Sequence, residues 1–280
     1  MVRKVSFWKM HGLGNDYIVM DNRNGTLSEE ELSNLAVKLC RRKFGIGADG
    51  LLLIYPSQKA DVKMRILNPD GSEAEMCGNG IRCLAKYCFE SGIVRKTSFS
   101  VETLAGIKRL GLKLEGGIIK SMKVNMGPPN FKAEGILPKW KGTFIDKPIH
   151  ISGTTVNATV LSMGNPHCVV FVGDVENYPV ETLGPIFESH ELFPKRVNVE
   201  FVQVVSRDRL KVRVWERGVG ETLACGTGAC ASVVAAKVLG KVDKTVAVEL
   251  LGGTLIIEYD DDAVFMEGPA EKVFEGVIDL

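Results

Sequence analysis

No apolar run in this chain is long enough to cross a membrane, no C-x-x-C pair occurs, and charge of neither sign dominates. Over 280 residues, 35 Lys and Arg stand against 34 Asp and Glu, a formal net charge of +1. That balance gives no electrostatic case for nucleic acid or for an anionic membrane surface. Trp8-Lys9-Met10-His11, just after the basic start Met1-Val2-Arg3-Lys4, interrupts any signal-peptide core. With neither span nor leader, the expected location is the cytoplasm. The seven cysteines (40, 77, 83, 88, 168, 225 and 230) are odd in number, in a chain too large to need staples. Reduced thiols are therefore expected. Tight cysteine pairs of the kind that hold zinc are missing, so no metal is expected either. What remains is an ordinary globular composition, 45% hydrophobic and 25% charged, with length for two modest domains.

One short stretch occurs twice. Glu73-Ala74-Glu75-Met76-Cys77-Gly78-Asn79-Gly80 lies in the first half and Glu221-Thr222-Leu223-Ala224-Cys225-Gly226-Thr227-Gly228 in the second. Each reads as a turn ending in cysteine, then a glycine-rich entry into a helix. A cysteine there has its sulfur beside unpaired backbone N–H groups and the positive end of the helix dipole, which favours thiolate.

The surroundings repeat as well. Lys63-Met64-Arg65-Ile66 matches Lys211-Val212-Arg213-Val214 at an offset of 148, shared by Cys77 with Cys225. Gly14-Asn15 pairs with Gly164-Asn165 at 150, and Gly127-Pro128 with Gly268-Pro269 at 141. A period this long means a duplicated domain rather than a solenoid.

Within the first half, Val5–Met10 and Tyr17–Asp21 read as a strand pair around the glycine loop His11–Asp16. Ser28-Glu29-Glu30-Glu31 is a capping box opening a helix to Cys40, with Leu32, Leu35, Ala36 and Leu39 on one face. Leu51–Ile54 and the alternating Val62–Ile66 are strands, the latter running into the turn Asn68-Pro69-Asp70-Gly71. Ile81, Leu84, Ala85 and Cys88 carry a helix to Gly92, and strands follow from Ser98 to Val124. Through Pro138, Gly142 and Pro148 the composition is linker-like, or at least irregular. The expectation is an α+β protein built as two pseudo-symmetric mixed α/β domains, each a curved sheet around a central helix. The first covers 1–126, completed by a returning strand at 271–280, and the second covers 127–270.

Cys40, Cys83, Cys88 and Cys230 sit at helical spacing and read as small buried hydrophobes. For Cys77 and Cys225, the following Gly-x-Gly is poor helix chemistry but lets backbone N–H groups approach an anion. Two such termini around one carboxylate suit proton exchange at the adjacent carbon: one thiolate removes the α-proton, and the opposite thiol supplies another. A redox pair or a non-catalytic amino-acid-binding module is the alternative of another class.

These stretches, with Asn68-Pro69-Asp70-Gly71-Ser72, Gly164-Asn165-Pro166-His167 and Glu216-Arg217-Gly218-Val219-Gly220 beside them, closely resemble the diaminopimelate epimerases over essentially the whole chain. The resemblance implies a cofactor-independent isomerase interconverting LL- and meso-2,6-diaminopimelate, in lysine and peptidoglycan precursor synthesis, with its site in a cleft between two mirrored domains. It assigns Cys77 and Cys225 as the acid/base pair, and Gly78, Asn79, Gly226 and Thr227 to the reacting carboxylate. Asn15, Asn68, Asn165, Asn198, Glu216 and Arg217 would read the remaining polar groups of the substrate, and His167 and Glu216 would tune the thiols. Without the motifs, His167 is a packing histidine, Asn68 a turn former and Arg217 a surface charge. Two departures stand out: Gly50 where some members carry glutamine, and Phe274 where some have a tyrosine linked to dimerisation. A homodimer through that region is implied. The rival within this plan is a proline or hydroxyproline epimerase, which resembles Met-Cys-Gly-His-Gly at the first cysteine and lacks the Glu216-Arg217 pair.

Overall fold

The computed structural model describes residues 3–280 except 152 and 261; Met1 and Val2 of the basic start lie outside the described residues. The chain divides into two compact units. One runs up to Val124 and takes in Gly268–Leu280; the other is Asn125–Glu267.

In the first unit β1 (Lys4–Gly12) and β2 (Asn15–Asp21) form an antiparallel hairpin. Its two turn residues, Leu13 and Gly14, have φ of 55° and 85°, the left-handed geometry that matches strand twist. Helix α1 (Glu29–Cys40) starts at Ser28, whose backbone N–H and hydroxyl both donate to the Glu31 carboxylate at 2.9 and 2.8 Å. It buries Leu32, Leu35, Ala36 and Leu39, the stripe expected of a period of 3.6. Strand β3 (Gly50–Tyr55), buried from Gly50 to Ile54, runs parallel to β2. Strand β4 (Val62–Leu67) and the short β5 (Glu73–Ala74) continue antiparallel. Helix α2 (Gly78–Glu90) packs against β1, β2, β3 and β4 and buries every residue from Gly78 to Ala85. It is the central helix of this unit. Strand β6 (Ser98–Thr103) returns parallel to β4, followed by the meander of β7 (Gly106–Glu115) and β8 (Ile118–Gly127).

The second unit opens with an antiparallel pair, β9 (Phe144–Ile151) and β10 (Thr154–Ser162). From β10 onward it repeats the first unit element for element. Strand β11 (Pro166–Phe171) is antiparallel to β10, α3 (Val180–Glu188) follows, and β12 (Asn198–Ser206) is parallel to β11. Strands β13 (Arg209–Glu216) and β14 (Gly220–Thr222) lead to the central helix α4 (Gly226–Val238). Then β15 (Thr245–Leu250) pairs parallel with β13, and β16 (Gly253–Tyr259) and β17 (Val264–Gly268) close the meander. The last strand, β18 (Glu271–Asp279), lies antiparallel along β1 from Lys4 opposite Asp279 to His11 opposite Glu271. It holds the place beside β1 that β9 holds beside β10.

The linker-like composition between 127 and 148 misleads at its far end. The first part holds a 3-10 turn at Ala133–Gly135 and two isolated bridges, Asn130 with Ser162 and Lys132 with Thr143, but Pro148 lies inside β9, opposite Asn157. The ladder of β9 is with β10, and a strand laddered on one side leaves half its N–H groups without a ladder role, so a proline fits.

Candidate active site

Cys77 is the residue before the first turn of α2, in extended conformation (φ −136°, ψ 126°), and its sulfur accepts the Gly80 N–H at 3.5 Å. Two other groups close around that sulfur. The Tyr17 hydroxyl stands 2.9 Å away, and Asn15 Oδ1 3.5 Å away. Asn15 is shared: its Oδ1 accepts from Tyr17 (2.7 Å) and Asn79 (3.3 Å), while its Nδ2 donates to Asp49 (2.9 Å). Behind Asn79, the fully buried Arg82 donates to Asn79 Oδ1 (2.8 Å), Gly78 O (3.0 Å) and Pro269 O (3.0 Å). A guanidinium with acceptors in several directions can stay charged out of water and fixes the first turn it underlies.

Cys225 repeats the geometry on α4 (φ −113°, ψ 112°), accepting the Gly228 N–H at 3.4 Å with Thr227 Oγ1 at 3.5 Å. The electrostatics differ. Behind this terminus lies Glu200, fully buried, close enough that a Cβ on Gly228 would stand 2.8 Å from its Oε1. Glu200 Oε1 lies 2.7 Å from His167 Nδ1, and His167 Nε2 lies 2.9 Å from Asn165 Oδ1. Asn165 Nδ2 in turn donates to Thr227 Oγ1 at 3.2 Å. A hydrogen-bonded chain thus runs from a buried carboxylate to the residue beside the thiol. Both His167 ring nitrogens are taken up in it, so His167 positions Asn165 rather than touching the sulfur. Glu200 Oε2 has no hydrogen-bond partner among the described residues.

The N-terminal position does not by itself make Cys225 acidic. Burial, then the carboxylates of Glu216 and Glu200, push its thiol well above the ordinary range, against the smaller opposing pull of Thr227 and the Gly228 N–H. Glu216 is raised too, chiefly by desolvation, and accepts a 2.6 Å bond from Thr222. Of the cysteines read as core, burial pushes Cys83 and Cys88 up to about 12 and Cys40 to about 11, which keeps them thiols.

The remaining residues singled out by sequence fall in different settings. Asn198 is buried and bonded to backbone, donating to Pro166 O (2.8 Å) and accepting the Arg217 N–H (2.9 Å). It joins the start of β11 to the Glu216-Arg217 turn. Arg217 is exposed, with Nη1 3.4 Å from Lys195 O. Asn68 bonds Ser72 within its turn, at 3.0 Å from side chain to side chain. Gly78 and Gly226 are the first helical residues of α2 and α4. Among the described residues, no cluster of three or more His, Cys, Asp and Glu side chains could hold a metal ion. Tyr17 and Glu200 carry no signal in the sequence that sets them apart. Each lies two residues beyond an asparagine that does, Asn15 and Asn198, and so on the same face of its strand.

The family model described as diaminopimelate epimerase matches residues 7–132 and 159–273, so that both cysteines fall within it. The chain belongs to the diaminopimelate epimerase family. Among its relatives, the diaminopimelate epimerase of Acetivibrio thermocellus is 53% identical over 98% of both chains. That of Moorella thermoacetica is 51% identical over 96% of this chain and 98% of its own. The fold is wider than the family. A hydroxyproline epimerase structure from Agrobacterium vitis, 17% identical, superposes with a TM-score of 0.72 over 99% of this chain and 93% of that one. Within the first unit, Gly50 lies opposite Tyr17, whose ring occupies the space a side chain there would take.

Proposed function

We propose that this protein epimerises LL-2,6-diaminopimelate to the meso isomer, and back, by a two-thiol proton transfer without a cofactor. The observation that supports it most is the pair of cysteines, each standing directly before a central helix with a backbone N–H on its sulfur, in a chain of this family. In the forward step one thiolate takes the α-proton, forming S–H as the C–H bond breaks. The other S–H then breaks and delivers its proton to the opposite face, inverting the centre. The N–H groups at Gly78, Asn79, Gly226 and Thr227 would stabilise charge building on the adjacent carboxylate. Asn15, Asn68, Asn165, Asn198, Glu216 and Arg217 would hold the rest of the substrate, the guanidinium suited to a distal carboxylate and Glu216 to a distal ammonium. Glu216, beside Cys225, and His167, through Asn165, would set the reactivity of the second thiol. Asn79 in place of histidine, and the Glu216-Arg217 pair, favour a substrate with two amino-acid heads over hydroxyproline.

The test is proton NMR of the reduced protein with LL-diaminopimelate in D₂O. The α-proton signal is expected to vanish as the meso isomer appears. Exchange with hydroxyproline but not with diaminopimelate would move the protein to the rival reading.

A cytoplasmic homodimer is part of the same reading. No helix among the described residues is long and apolar enough to cross a membrane. On β18, Val273, Phe274 and Val277 are 57%, 46% and 60% exposed on a strand laddered to β1, and exposed apolar side chains there suit a partner surface. Phe274→Glu is expected to turn a dimer into a monomer in sedimentation velocity; an unchanged sedimentation coefficient would remove this strand from the interface.

A further inference from the structure

Tyr17 reaches Cys77 through a slot made of two missing side chains. It lies opposite Gly50 on the parallel β2–β3 pair. A Cβ on Gly50 would stand 3.1 Å from Tyr17 Cε1 and 3.3 Å from Cδ1, and one on Gly80 3.5 Å from Cζ. The ring therefore fills the space between β3 and the first turn of α2, and only its hydroxyl end is directed at chemistry: 2.9 Å from Cys77 Sγ and 2.7 Å from Asn15 Oδ1. A tyrosine placed merely to fill a core would not need its one polar atom at the thiol.

The duplication sharpens the point. Gly14-Asn15 matches Gly164-Asn165, so Tyr17 stands where the second unit has His167. The strand registers agree, pairing Tyr17 with Gly50 and His167 with Asn198. Two residues further on, Leu52 matches Glu200, and each lies behind its helix terminus: a Cβ on Gly80 would meet Leu52 Cδ2 at 3.3 Å, as one on Gly228 meets Glu200 Oε1. One unit thus backs its thiol with a histidine–glutamate pair that ends at an asparagine. The other has an apolar leucine there and a hydroxyl on the sulfur itself.

We propose that Tyr17 is a positioning residue of the Cys77 half-site, its hydroxyl donating to the sulfur when Cys77 is thiolate and turning to Asn15 when the sulfur is protonated. This rests on the two-thiol reading of the reaction. No proton leaves tyrosine in the cycle. With Cys77 as thiolate, O–H points to sulfur and Asn15 Oδ1 keeps the Asn79 donor. With Cys77 as thiol, the O–H rotates to Asn15 Oδ1. Burial and the neighbouring Cys77 hold the phenol well above its ordinary range, so it remains a donor throughout. The other titratable groups around this sulfur and phenol are Cys83 and Arg82 on α2, Asp49 ahead of β3 and Asp16 beside Asn15.

The experiment is alkylation of Cys77 by iodoacetamide across pH, read by peptide mass, in the full-length protein and in Tyr17→Phe, with Cys225 followed in the same digests. Phenylalanine keeps the ring and deletes the donor. A donor to the charged form lowers the pH at which that form appears, so its loss is expected to move the Cys77 profile to higher pH and slow its alkylation near neutrality about tenfold. The Cys225 profile is expected to stay in place. Gly50→Ala, whose Cβ would press on the Tyr17 ring and equally on Leu67 O at 3.1 Å, keeps the hydroxyl and should shift Cys77 in the same direction. A Cys77 profile unmoved in both variants overturns the proposal, and so does an equal shift at both cysteines with a lowered melting temperature. Neither result touches the two-thiol reading, which fails separately if Cys77→Ala still inverts substrate.

Discussion

Cys77→Ala and Cys225→Ala are each expected to lower the rate of inversion by about a thousandfold or more. The reason is geometric rather than a general loss of reactivity. Inversion needs a proton taken from one face and given to the other, and one remaining sulfur serves one face only. Each variant should therefore keep at most a slow exchange of the α-proton in one isomer, the isomer whose C–H points at the surviving thiol. The two variants should keep it for opposite isomers. Proton NMR in D₂O with LL- and meso-diaminopimelate separates wash-out from inversion and gives all four measurements. Inversion surviving in either variant would sink the two-thiol mechanism, and residual exchange of the same isomer in both would mean that the sulfurs do not act from opposite sides. Helix geometry should be little altered, because the bonds the sulfurs accept at the helix starts are long and weak, 3.5 Å from the Gly80 N–H and 3.4 Å from the Gly228 N–H.

The second large effect is on stability. Arg82→Met is expected to cost on the order of 3 kcal/mol, read as a lower urea midpoint with an unchanged slope. Methionine fills much of the volume, but Gly78 O, Asn79 Oδ1 and Pro269 O each lose a donor inside protein. A buried acceptor that loses a donor costs up to roughly 1–3 kcal/mol, and relief from burying a charge offsets part of the sum. Arg82→Lys should recover only part, since one ammonium cannot replace a planar fork aimed at three acceptors. A loss under about 1 kcal/mol for Arg82→Met would show that water reaches these groups and that the guanidinium is not what holds the first turn of α2.

Much of this is legible in the residues. The capping box at Ser28-Glu31 and the alternation in Val62–Ile66 are local signals, and local signals need no tertiary partner to be read. The doubled Cys-Gly-x-Gly stretch is legible for the same reason, since a cysteine before a glycine-rich first turn specifies its own backbone N–H partner three residues away. Tyr17, Arg82 and Glu200 are not, because what makes them matter lies far along the chain. Tyr17 and Cys77 are 60 residues apart, and Arg82 and Pro269 are 187 apart. In a linear reading a strand tyrosine, a helix arginine and a strand glutamate are ordinary. Gly50 shows the converse: taken by itself it is a plain strand glycine, whereas opposite Tyr17 it is the room a ring requires. Pro148 fails as a linker marker because composition alone does not show which edge of a strand is paired.

The placement of β18 bears on the order in which the protein is made. Strands near the amino terminus usually find their neighbours while the ribosome is still adding residues, and leading domains fold first. Here β1 waits for Glu271–Asp279, which the ribosome adds only after the whole of the second unit. The trailing unit, Asn125–Glu267, holds all its strands within one continuous stretch and can complete itself beforehand. The unit whose strands are translated first is therefore completed after the other, and a chain interrupted between Glu267 and Glu271 would leave β1 with an open edge.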